Sequence, residues 1–194
     1  GGRKGGVPEM TLEYVMKQNG IVPQVDATVD TTVQFNMMAG AFSGGNGDYV
    51  TLFEPTATEM ELAGQGYILC SIGEESGEIP YTAYFAAGDY MEKNPEIIQK
   101  FTNAIYQGQQ WVMTHTDAEV AEALAPYFPD TDLSVLETVS ARYRSIGAWN
   151  ETPAMGEEGL NRLQDVMEEA GELQERVEFQ QLVDNSYAEK AVNS

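Results

Sequence analysis

The first eight residues combine glycines, two cations and a proline in a pattern that could bind an anionic group. Residues 1–6 read Gly-Gly-Arg-Lys-Gly-Gly, and Pro8 suits the first turn of a helix, where its missing N–H is no loss. Glycines leave backbone amides bare, and the amides at a helix N-terminus attract negative charge. We therefore predict ligand contacts from Arg3, Gly5, Gly6, Val7 and Pro8. The two cations could equally be solvated surface charges.

Two further loops carry polar side chains directly after apolar segments that are typical of strands. Thr31 and Thr32 follow residues 25–29, and Glu54 follows residues 49–53. Ligands of open parallel sheets bind outside the carboxyl ends of the strands, so we predict ligand contacts from Thr31, Thr32, Phe35 and Glu54. Simpler interpretations stay open, because Thr31 could only cap a helix and Glu54 could only favour a helix N-terminus. The aromatic residues Phe35, Phe53 and Tyr81 could belong to the hydrophobic core.

The order of apolar segments predicts an α/β fold with a mainly parallel sheet flanked by helices. Strands are expected at residues 25–29, 49–53, 66–72 and 80–86, and helices at 8–18, 31–42 and 54–63. From Asn94 onward the pattern is helical, with a capping box at Thr116 and a core stripe of Phe101, Ile105 and Val112. We expect an α/β ligand-binding lobe over residues 1–115, followed by a helical region over residues 116–194.

Composition excludes several classes of function. The formal charge of −21 argues against a broad nucleic-acid interface and against docking on anionic membranes. Cys70 is the single cysteine and is expected in a buried strand as a small apolar residue, and His115 is the single histidine. The chain lacks a dinucleotide-binding fingerprint, a P-loop and a nucleophile elbow. We therefore expect no catalytic residues, no metal and no cofactor.

Several segments together resemble one family of transport proteins. The opening residues 1–14, the block 34–42 and the block 47–57 resemble periplasmic-type substrate-binding proteins of ABC importers. Residues 80–84, 93–96 and 127–130 continue the similarity, which therefore runs along nearly the whole chain. The branch is the NMT1/THI5-like group, which is similar to binders of sulfonates, nitrate, taurine and thiamine-related pyrimidines.

The resemblance implies a two-lobed clamshell that holds a small polar or anionic ligand and delivers it to a membrane permease. The chain would then begin in the second lobe, and its last helices would pack back toward a first lobe that is absent. The protein would work outside the cytoplasm, in the periplasm or anchored by a lipid, with the signal or anchor absent from this chain. Pyrimidine-synthase-like enzymes of the same superfamily are the alternative, although they carry a cysteine cluster that this sequence lacks.

Self-association follows as an expectation from that truncation. A missing first lobe would uncover apolar surface on the later helices, including those that carry Leu136, Tyr143 and Leu163. An unpaired sheet edge would also be open to exchange with a second copy. We therefore expect a homodimer or a domain-swapped assembly, which the negative charge opposes at low salt.

Overall fold

The computed structural model describes residues 1–194 as a set of helices without any β-strand. The helices are α1 (Val7–Gln18), α2 (Met38–Ser43), α3 (Thr56–Leu62), α4 (Ile72–Ser76), α5 (Gly88–Lys93), α6 (Pro95–Thr114), α7 (Asp117–Leu124), α8 (Leu133–Ser145), α9 (Glu157–Glu169), α10 (Phe179–Leu182) and α11 (Ser186–Val192). Short 3-10 turns, Phe35–Met37 and Ala125–Tyr127, precede α2 and follow α7. None of these helices combines the length and the apolar character that crossing a lipid bilayer requires.

The predicted α/β fold with a parallel sheet is wrong. The four segments expected to be strands form none, and the only β-type pairing is an isolated bridge between Pro23 and Ala27. Tyr67 and Phe85, which lie in two of these segments, are 97% and 98% exposed. A strand is stable only when a second strand pairs with its backbone. An apolar pattern indicates that a segment favours the strand conformation, but it does not specify the segment that pairs with it. Within residues 1–194 no such ladder forms.

Most helices form where local signals predict them. Thr116 caps α7, because its hydroxyl accepts from the Glu119 amide at 3.3 Å while the Glu119 carboxylate accepts from the Thr116 amide at 2.8 Å. Prolines stand in the first turns of α1 and α6. The helix predicted over residues 31–42 instead begins at the 3-10 turn of Phe35, so Thr31 caps no helix there.

The chain divides into two compact units, each with its own core. Unit 1 comprises Gly1–Ile79 and Glu158–Arg176, and unit 2 comprises Pro80–Glu157 and Val177–Ser194. The core of unit 1 contains Met10, Val15, Val29, Met38, Met60, Leu160 and Val166, and that of unit 2 contains Val120, Ala121, Val135, Leu136, Val139, Ala188 and Ala191. The lobe boundary predicted at residues 115 and 116 stays a prediction.

Several predicted burial states are wrong for the same reason as the sheet. Phe35, Phe53 and Tyr81, which could belong to a core beneath a sheet, are exposed because no sheet layer covers them. Phe101, predicted in the core stripe of the helical region, is exposed on α6. Conversely, Leu136 was expected on an uncovered face but is buried, since α8 packs against α7.

Cys70 is also exposed, contrary to its predicted place in a buried strand. Partial burial and the nearby carboxylates of Glu75 and Glu74 raise the pKa of its thiol. A thiol whose pKa is raised forms less thiolate and is a poorer nucleophile. The surroundings of Cys70 therefore do not activate it.

A polar clamp fixes α8 against the start of α7 in unit 2. The Asp117 carboxylate accepts from the Ser140 hydroxyl at 2.8 Å and from Arg144 Nε at 3.0 Å. Arg144 Nη2 also donates to the carbonyls of Val112 and His115, at 3.2 and 3.1 Å. Because Ser140 is 0% exposed, its hydroxyl depends on Asp117 for an acceptor.

We expect Asp117→Ala to destabilise the protein by about 2–3 kcal/mol, because it leaves the buried Ser140 hydroxyl and the Arg144 Nε–H without their acceptor. Chemical denaturation followed by circular dichroism measures the change. Asp130→Ala, at an exposed loop position, is the matched control and should change stability by less than about 0.5 kcal/mol. Equal effects of the two substitutions would contradict the clamp.

The capping box predicts a pH dependence for α7. Hydrogen bonds from the Thr116 amide and hydroxyl lower the pKa of Glu119 below its usual 4.5. A carboxyl whose folded-state pKa is lowered stabilises the fold above its unfolded pKa, and this contribution is lost as the pH falls through the folded pKa. Glu119→Gln should therefore reduce the loss of stability between neutral pH and about pH 3, whereas Glu122→Gln on the same helix should leave it unchanged. Thermal unfolding across that pH range tests this, and parallel curves for both variants would refute it.

Candidate functional site

A cavity of about 180 Å³ lies in unit 1, between the start of α2 and the start of α3. It is lined by Phe35, Asn36, Ala39, Leu52, Phe53, Glu54 and Thr56. Its volume is below the roughly 300–1,000 Å³ of typical ligand pockets, which suits a small molecule or one end of a larger one. A second cavity, of about 170 Å³ in unit 2, is lined by Thr82, Ala83 and Tyr84 alone and contains no charged side chain.

Two aromatic rings border the cavity of unit 1. The ring centroids of Phe35 and Phe53 lie 5.3 Å apart, and their planes are inclined by 45°. Both side chains are well exposed, at 56% and 40%, so their rings are only partly covered by the protein itself. Exposed rings beside a cavity offer apolar surface and π faces to a ligand.

Glu54 supplies the charge of this cavity and is fixed in place by α3. Its Oε2 accepts from the backbone amide of Thr58 at 2.9 Å, and Thr58 is fully buried. This bond satisfies one of the amides in the first turn of α3, where a negative charge is favourable. Glu54 therefore stabilises a helix N-terminus and lines the cavity, so the two interpretations of this residue are compatible.

The glycine loop at the start of α1 is occupied by a carboxylate of the chain itself. Glu9 is 1% exposed, and its two oxygens accept from the Gly5 amide at 3.0 Å and from Lys4 Nζ at 3.1 Å. The Gly6 amide donates to the Arg3 carbonyl at 2.9 Å. Glu9 thus fills the role that an anionic ligand could play at this helix terminus, and its hydrogen bond raises the pKa of Lys4.

The loop after residue 29 is joined to the glycine loop by one backbone contact. The Gly1 nitrogen donates to the Asp30 carbonyl at 2.7 Å. The amide and hydroxyl of Thr32 donate to Asp30 Oδ1 at 2.8 and 2.7 Å, and these bonds lower the pKa of Asp30. Thr32 therefore serves a local turn.

The structure thus brings two pairs of predicted regions together. Phe35 and Glu54 line one cavity, and the glycine loop contacts the loop of Asp30. The ligand roles predicted for all nine residues stay predictions: Arg3, Gly5, Gly6, Val7, Pro8, Thr31, Thr32, Phe35 and Glu54. Sequence reasoning did not select Asn36, Ala39, Leu52 or Thr56, although each lies within four residues of Phe35 or Glu54 in the chain.

Comparison with known proteins gives two matches. A sequence profile described as the NMT1-like family matches residues 2–125. The chain is 41% identical over 193 residues to a Bacillus subtilis (strain 168) protein named "Putative binding protein YtlA". That alignment covers 100% of this chain and 58% of the relative, so the chain spans less than two thirds of the relative's length. No solved structure matches the chain.

The internal carboxylate of the glycine loop generates a prediction about stability. Glu9→Ala removes the acceptor of the Gly5 amide and the partner of Lys4, and should destabilise the protein by about 1.5–3 kcal/mol. Glu9→Gln keeps an acceptor for the amide and should recover part of this loss. Urea denaturation measures both variants, with Glu175→Ala at an exposed position as control. Equal losses for the alanine and glutamine variants would show that the amide bond contributes nothing.

Proposed function

Because the chain belongs to the NMT1-like family, we propose that it is the solute-binding component of an ABC importer and captures a small polar organic molecule. The observation that carries the proposal is the cavity of unit 1, where two exposed phenylalanine rings and one fixed carboxylate lie within the matched residues 2–125. Sulfonates, taurine, nitrate and pyrimidine-like compounds are the starting set of ligands.

The proposal assigns the protein a place outside the cytoplasm and a permease as its partner. The binding protein of an importer binds its solute on the outer side of the membrane and delivers it to the permease. The name of the relative supports a binding role. A non-covalent receptor needs a concave surface with polar groups, and this cavity has a carboxylate and an amide side chain in its wall.

Blocking the cavity tests this proposal. Ala39→Leu places three more carbon atoms at the wall without removing a polar group, and should abolish binding of any solute that uses the cavity. Ala104→Leu, at an exposed position of α6 in unit 2, is the matched control. Saturation-transfer NMR with the starting set, supplemented by amines and neutral alcohols, detects weak binding. Binding that survives Ala39→Leu would place the ligand elsewhere.

A further inference from the structure

The solvent-facing side of α6 carries an apolar stripe. Residues that recur alternately four and three positions apart lie on one face of a helix. Five exposed residues of α6 follow this spacing without a charge among them, and we call them the α6 stripe: Ile97, Phe101, Ala104, Gly108 and Trp111. The three large side chains remain 53%, 46% and 37% exposed. Helix α11 packs against another side of α6, where Gln99 donates to the Tyr187 carbonyl at 2.9 Å, so it leaves the stripe uncovered.

Neighbouring aromatic rings widen the α6 stripe at both ends. The ring of Tyr84 meets that of Phe101 edge to face, with 4.9 Å between the centroids, and Tyr84 is itself 75% exposed. The ring of His115 stacks on Trp111 with 4.0 Å between the centroids. From Ile97 to Trp111 the stripe runs for about 21 Å along the helix axis. Continuous apolar surface of this kind is typical of a site of protein interaction.

The distribution of charge limits what can bind to this face. Unit 2 contains 14 acidic and 5 basic residues, a formal charge of −9. Helix α6 carries only Glu96 and Lys100, whose charges cancel, so the whole excess lies outside this helix. A partner selected by its positive charge would be attracted to the acidic surfaces instead. A second copy, which carries the same −21, meets the least repulsion at this neutral face.

The order of large and small residues along the stripe is complementary to itself. When two copies of α6 run antiparallel about a two-fold axis at Ala104, Ile97 of each copy faces Trp111 of the other, and Phe101 faces Gly108. Gly108 leaves room for that ring, because a Cβ added there would meet no atom within 4 Å. In a parallel pair the large residues would face each other, and the two glycines would leave a gap. Antiparallel helices also bring the opposite ends of their dipoles together.

We propose that the α6 stripe is the contact surface of an antiparallel homodimer, in which the large residues of each copy pack over the small residues of the other. This inference is independent of the proposed solute site, which lies in unit 1. A single pair of helices gives an interface at the small end of the range for specific complexes, which is typical of transient association, so we expect a dissociation constant of about 10–100 µM.

Sedimentation velocity of the 194-residue chain at concentrations between about 1 µM and 1 mM tests the association. The chain should pass from monomer to dimer over that range. Raising the salt from about 50 to 300 mM should lower the dissociation constant by about two- to fivefold, because salt screens the repulsion between two copies that each carry −21. A monomer at every concentration, or larger assemblies without a dimer, would overturn the proposal.

Filling the small position of the stripe tests the face itself. Gly108→Leu occupies the space of the partner's Phe101 and should raise the dissociation constant at least about tenfold. The variant should fold, because leucine favours a helix more than glycine does and the added side chain begins in open space. Gly40→Leu is the matched control, since Gly40 is an exposed glycine of α2 in unit 1 whose added Cβ also meets no atom within 4 Å. The control should stay within about twofold of the unchanged chain, and equal effects of the two variants would overturn the proposal.

Disulfide trapping tests the orientation of the two helices, in a Cys70→Ser background that removes the native thiol. Ala104→Cys places its thiol at the two-fold axis and should cross-link two copies under mild oxidation. Ile97→Cys places the two thiols about 21 Å apart along the axis and should not cross-link. Cross-linking of both variants would indicate a parallel pair, and cross-linking of neither would place the contact on another face. Either result would overturn the proposal. Circular dichroism confirms that each variant is folded.

Discussion

The Asn185 side chain makes two hydrogen bonds with the backbone of Met155, one as a donor and one as an acceptor. Its amide nitrogen donates to the Met155 carbonyl at 2.9 Å, and its oxygen accepts from the Met155 amide at 3.1 Å. In a sheet, a neighbouring strand would supply the partners of a backbone N–H and C=O, and here a side chain supplies them. In unit 1, Arg162 likewise donates to the Glu78 carbonyl at 2.7 Å. Peptide groups that leave water cost free energy unless they find partners. In these two segments between helices, polar side chains supply the backbone partners that a neighbouring strand would otherwise supply.

This dependence explains which parts of the fold could be predicted from the sequence. Helices such as α7 are set by residues three or four apart, and the pair Thr116 and Glu119 can be read directly. Strand pairing is set by contacts between distant segments, which the apolar run around Tyr67 does not specify. The side-chain bonds that replace pairing are also non-local. Asn185 and Met155 are 30 residues apart, and nothing in either segment indicates the other.

The candidate site shows the same division between local and distant signals. Phe35 and Glu54 could be selected because their types suit a ligand, but the 5.3 Å approach of Phe35 to Phe53 depends on the fold. The role of Glu9 had a local signal that went unused. A glutamate at the third position of a helix often reaches back to amides before the first turn, and Glu9 does so to Gly5. That signal indicates a glycine loop whose amides bind a carboxylate of the chain itself, whereas the glycines alone favour a loop open to a ligand.

The two carboxylates also differ in what they leave for a ligand. Glu9 is buried, and its oxygens accept hydrogen bonds from an amide and an ammonium of the same loop. Its charge is therefore paired within the fold. Glu54 lies at the wall of a cavity, and the N-terminus of α3 offsets part of its charge through the Thr58 amide. One acidic residue near a helix start therefore closes its own loop, whereas the other contributes to the wall of a cavity.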